Sequence, residues 1–83
     1  MDRLRQIKQF VLGNFLFSED ESALADDTSL VRGGLVDSTG ILELIMFLES
    51  SLGIKVPPED MTPDNFDTVL AIDDYVGRRL ATA

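Results

Sequence analysis

"GGLVDSTGILELIMFLES", residues 33–50, joins a glycine pair to a polar step, Val36-Asp37-Ser38-Thr39-Gly40, and then to an apolar run. Ile41, Leu44, Ile45, Leu48 and Leu52 recur at steps of three and four, the spacing of one helix face rather than the alternation of a strand. They predict a helix from Ser38 to about Leu52, closed by Gly53 where a left-handed backbone is tolerated. Leu42, Met46 and Phe47 carry the apolar surface beyond the buried stripe, so part of this helix is expected to face a partner. An Asp or Ser before such a run is the ordinary mark of a helix N-cap, whose side-chain oxygen accepts a hydrogen bond from an orphaned backbone N–H. Ser38 therefore has two readings: it caps, or it carries something.

Towards the N-terminus, Leu4, Ile7, Val11 and Phe15 share one stripe and predict a helix from Asp2 to about Phe17, weakened in its last turns by Gly13. Between Ser18 and Asp37 the periodicity dissolves. Leu24, Leu30, Val31 and Leu35 are expected to pin this long connection to the core, and loops of such length in small domains are often functional. Towards the C-terminus, Ile54-Lys55-Val56-Pro57-Pro58 reads as extended, since proline disfavours helical geometry in its predecessor. Thr62-Pro63-Asp64-Asn65-Phe66 reads as a cap, a proline at the first helical position and one short turn. Asp67 or Thr68 then caps a last helix with Val69, Ile72, Val76 and Leu80 on its stripe, and Arg78 and Arg79 suit its C-terminal dipole. The expected fold is all-α: helix, long loop, helix, very short helix, helix, in a single domain over residues 1–83.

Composition narrows the function. A chain of 83 residues buries one core and has no room for a deep site between domains, so it is expected to act through its surface. It has no cysteine and no histidine, hence no disulfide scaffold, no thiolate metal site and neither of the commonest nucleophile–base pairings. Self-contained catalysis is not expected, nor is a bound metal. No apolar run approaches the ~20 residues that cross a bilayer, and the N-terminus lacks a signal-peptide pattern, so a cytoplasmic protein without stable membrane insertion is expected. The net charge is −8, with fourteen of the fifteen acids between Phe17 and Asp74 against only Arg32 and Lys55, while each flanking end is net +2. Such a charge disfavours nucleic acid and anionic lipid and favours partners with Lys/Arg patches, though acidity also keeps a small domain in solution.

At a helix start, unpaired N–H groups and the macrodipole favour a phosphate ester on the Ser38 hydroxyl. Asp37 reads as a capping or solvated acid, or as part of a surface that a modifying enzyme grips. Gly40 costs about 1 kcal/mol against Ala in a helix; close approach of a partner or tethered group is one reason for it, tolerated drift another.

With Asp37-Ser38 at the start of the second helix, "GLVDSTGILELIMFLES", "GIKVPPEDM" and "NFDTVLAIDDYV" occur in the order found in acyl and peptidyl carrier proteins. The chain resembles that family over nearly its whole length. The resemblance implies an acyl-carrier-like four-helix bundle. It also implies 4′-phosphopantetheine, derived from coenzyme A, attached covalently to Ser38 beside Asp37, with an acyl or aminoacyl group carried as a thioester on the arm. It implies a protein that is a substrate rather than an enzyme. Its expected partners are a phosphopantetheinyl transferase, an adenylate-forming ligase and a downstream acyl-accepting enzyme, and it is expected to be a monomer. The implied partner surface comprises Thr39, Gly40, Leu42, Glu43, Met46 and Glu49, with the two glutamates pairing with basic residues and Leu42 and Met46 offering an adaptable apolar contact.

Fatty-acid-type carriers usually follow Asp-Ser with Leu and a second acid; Thr39-Gly40 is more like stand-alone aminoacyl or D-alanyl carriers and would fit a smaller, polar cargo. Acyl carriers of fatty-acid, polyketide or other lipid pathways are the alternative. A further alternative is an unmodified acidic interaction module, in which Ser38 only caps and Leu42 and Met46 bind a partner helix. A calcium hand is excluded, because no stretch has the required ligand spacing.

Overall fold

In the computed structural model, which describes residues 3–18 and 20–82, four α-helices carry the fold and no strand occurs among the described residues. They are α1 (Arg3–Val11), α2 (Ser38–Leu52), α3 (Pro63–Phe66) and α4 (Val69–Thr82). The first helix departs from expectation at its C-terminal end. After Val11 the backbone widens into a π-helical turn, Leu12–Leu16, and Phe17 stops it in the left-handed region at φ 51°, its N–H donating to the Leu12 carbonyl. Such turns accommodate an extra residue, and Gly13, with open space around it, offers little resistance to the change. Asp2, the expected first residue of this helix, lies outside the described residues.

The stripes read from the sequence build the core. Ile7 and Val11 from α1, Leu44, Ile45 and Leu48 from α2, and Val69, Ile72 and Val76 from α4 are buried together with Phe66. Each such aliphatic side chain contributes about 1.5–3 kcal/mol on burial. Leu80 departs from its expected stripe and is exposed on the last turns of α4. Phe47, expected to extend an open face, is half-buried and stacks on Phe10 at 4.3 Å. Phe66 meets Tyr75 edge-on at 5.3 Å, and the Tyr75 hydroxyl donates to Asp60 at 2.8 Å. Burial, then this bond to a carboxylate, pushes Tyr75 up to about 12. Gly53 closes α2 at φ 72°.

The long connection is held at several points. Leu24 and Leu30 are fully buried, whereas Leu35 is exposed and its neighbour Val36 takes the inward position at 2% exposure. Of the two candidate caps of α4, Thr68 does the capping, its Oγ1 accepting from the Ala71 N–H. Asp67 is turned elsewhere: it accepts from the backbone N–H groups of Val31 and Arg32, each at 3.0 Å, and from the Ser29 hydroxyl at 2.9 Å. A carboxylate holding several donors favours its charged form, and the Arg32 N–H foremost keeps Asp67 below the ordinary carboxylate range. Asp26 adds a second anchor, with its carbonyl accepting from the Leu70 N–H and its carboxylate bonding Lys8.

Candidate functional site

The first turn of α2 answers the question posed by the polar step. Asp37 is extended, at φ −92° and ψ −173°, and its Oδ1 accepts from the Gly40 N–H at 2.8 Å. Its carbonyl accepts the first helical bond, from the Ile41 N–H. Asp37 is therefore the N-cap and Ser38 the first residue of the helix, which decides between the two residues that could have capped and leaves the capping reading of Ser38 unfilled. The choice follows from chain geometry: an aspartate one position earlier reaches the third N–H of the helix, and the cap position holds one residue. Ser38 is exposed, and its hydroxyl is not consumed by the cap.

The surroundings of Ser38 are mainly apolar. A cleft of about 290 Å³ is lined by Ser38 with Val31, Ile41, Leu42, Met61, Thr62 and Pro63, so it joins the long connection, α2 and the start of α3. The connection wall is the segment that Asp67 anchors. The opposite wall begins one residue after Asp60, which holds Tyr75. Val31, Met61 and Thr62 were not legible as neighbours of Ser38, because nothing local in the chain announces a contact across that separation.

The expected partner surface divides. Thr39, Leu42, Glu43 and Met46 are exposed, with Leu42 at 54% and Met46 at 67%. Glu49 is half-buried, and its Oε2 accepts from the Val56 N–H at 3.0 Å, which ties α2 to the extended segment after it. Gly40 is buried and lies beneath the face it was expected to help form. A Cβ at this position would stand 2.8 Å from Val36 Cγ1 and 2.9 Å from Phe15 Cε1, so a side chain here would be crowded from inside the protein. Of the two positions that separated aminoacyl from fatty-acid carriers, only Thr39 remains at the surface.

Among the described residues no group of three or more His, Cys, Asp or Glu side chains could hold a metal ion, and no helix is long and apolar enough to cross a membrane.

No family model matches the chain. Among curated proteins, it is similar to the D-alanyl carrier proteins of Streptococcus pyogenes serotype M5 (strain Manfredo), serotype M49 (strain NZ131) and serotype M1. Each is 44% identical over 57 residues, which cover 69% of this chain and 71% of the relative.

Proposed function

This chain belongs to the carrier protein family of its D-alanyl carrier relatives, and from that premise we propose that Ser38 bears 4′-phosphopantetheine and that the cargo is an aminoacyl group, D-alanine by the relatives' name. The chain is a carrier and not itself an enzyme. The proposal includes the acyl-carrier-like bundle, a single carrier domain over residues 1–83, and a cytoplasmic monomer.

One observation carries the assignment of Ser38: Asp37 satisfies the cap and leaves an exposed serine hydroxyl at the first position of a fifteen-residue helix. The residues fit the group. A phosphodiester at Ser38 lies where the first-turn N–H groups and the dipole favour negative charge. The cleft beside it offers Ile41, Leu42 and Met61 to an arm of mixed polarity. When attached, the group supplies a thiol on which cargo is held as a thioester, which is the chemistry that a chain without cysteine lacks. The protein's own residues hold the tether and display a face: Leu42 and Met46 for apolar contact, with Asp37 and Glu43 for basic residues of the transferase and of the adenylate-forming ligase.

The test is incubation with coenzyme A and a broad-specificity phosphopantetheinyl transferase, followed by intact mass measurement. A gain of one phosphopantetheine that disappears in Ser38→Ala is expected. No gain, or a gain that survives the substitution, overturns the assignment. Loading the modified protein in extracts with labelled amino acids and acyl precursors tests the cargo, and acyl-only loading would count against an aminoacyl group.

A further inference from the structure

Glycine in a helix costs stability relative to alanine, so a glycine in the first turn of α2 asks for a cause. Gly13 and Gly40 contrast: a Cβ at Gly13 would meet nothing within 4 Å, whereas at Gly40 it would press on Val36 Cγ1, Phe15 Cε1 and, at 3.4 Å, Asp37 Oδ1. The Phe15 ring is constrained in stepping back. It lies edge-on to Phe10, with centroids 6.0 Å apart and planes at 76°, and Phe10 in turn stacks on Phe47 of α2. Phe15 also belongs to the π-helical turn that the left-handed Phe17 closes. Rings from the first helical segment thus meet α2 at two heights, Phe10 at Phe47 and Phe15 at Gly40. On the other side, Val36 is buried immediately before the capping aspartate.

We propose that Gly40, Phe15 and Val36 form a seat for the first turn of α2, which fixes the Asp37 cap and so the direction in which Ser38 is presented to the modifying enzyme. Gly40 is then a positioning residue. The inference rests on the reading of Ser38 as the modified residue. It differs from a partner-based account of the glycine in direction: a methyl group at position 40 points inward at Phe15 and Val36, so its effect is relieved by making room inside the protein.

The test compares wild type, Gly40→Ala and the double variant Gly40→Ala/Phe15→Leu in transferase kinetics with coenzyme A. Gly40→Ala is expected to lower kcat about tenfold, within the range that small misplacement of a reacting group produces, with KM changed less than twofold. The double variant is expected to recover most of the loss. A raised KM that Phe15→Leu does not relieve would mean an external clash and overturn the seat. Amide hydrogen exchange provides a readout independent of modification. In Gly40→Ala the amides at positions 40 and 41, which bond to Asp37, should exchange faster, and Phe15→Leu should restore their protection. Unchanged exchange overturns the seat whether or not Ser38 is modified, while a wild type that gains no mass defeats the Ser38 assignment alone. If Gly40→Ala does not fold, a folded double variant supports the seat and an equally unfolded one overturns it.

Discussion

Replacing Asp37 with Ala removes the acceptor of the Gly40 N–H and should cost about 1 kcal/mol. That loss lowers the thermal midpoint by roughly 4–8 °C in a domain of this size. Ser38→Ala, one position along, removes an exposed hydroxyl outside the cap and should change stability by less than about 0.5 kcal/mol. Thermal denaturation of the two variants separates the roles; equal losses would contradict the assignment of the cap. Asp67 acts at longer range. Its carboxylate is 13% exposed and gathers Val31, Arg32 and Ser29, so Asp67→Asn should destabilise by about 1–3 kcal/mol at neutral pH. Because its pKa in the fold is depressed below 3.8, this contribution is present above that value and disappears as pH falls through the folded pKa. Urea midpoints of wild type and Asp67→Asn should therefore converge below about pH 3.8; a gap that stays constant into strong acid would contradict the anchor.

At the scale of elements, glycine substitutions should have opposite signs according to backbone geometry. Gly13 has no positive φ and open space around it, so Gly13→Ala should stabilise by about 0.5–1 kcal/mol. Gly53 closes α2 at φ 72°, where a Cβ is strained, and Gly53→Ala should cost about 1–2 kcal/mol. Denaturant midpoints check both; a neutral Gly53→Ala would show that the left-handed closure is not required. Helix α2 was legible because its stripe and its closing glycine are local features, and the short α3 because proline fixes its first residue. The identity of the cap was ambiguous for a physical reason: Asp and Ser both cap well, and only the backbone decides which stands outside the helix. The inward role of Gly40 depends on Phe15, a ring brought in by a π-helical turn that apolar spacing does not signal. The anchoring role of Asp67 was hidden by its neighbour Thr68, since either could have capped α4. The cleft beside Ser38 joins Val31 to Met61 and Thr62, a pairing that only the folded chain creates.

For the whole molecule, the net charge of −8 is distributed so that several basic groups are engaged internally: Arg3 with Asp73, Lys8 with Asp26, Arg32 with Asp64 and Arg78 with Asp74. Glu43, by contrast, is exposed on the helix that also exposes Leu42 and Met46. A partner with a basic patch would be drawn to this face through a field that salt screens over about 10 Å at 0.1 M. The transferase kcat/KM should therefore fall several-fold as sodium chloride rises, through encounter rather than chemistry. Glu43→Gln should lower the rate at low salt by up to about fivefold, the equivalent of a rim charge pair worth at most ~1 kcal/mol, and should flatten the salt dependence. Leu42→Ala removes apolar contact without charge, so it should lower kcat/KM at every salt concentration and leave the slope intact. Stopped-flow or steady-state measurements across salt distinguish the two contributions, because one varies with ionic strength and the other does not. Salt-indifferent kinetics for wild type would leave its acidity a matter of solubility and place recognition on the apolar contacts alone.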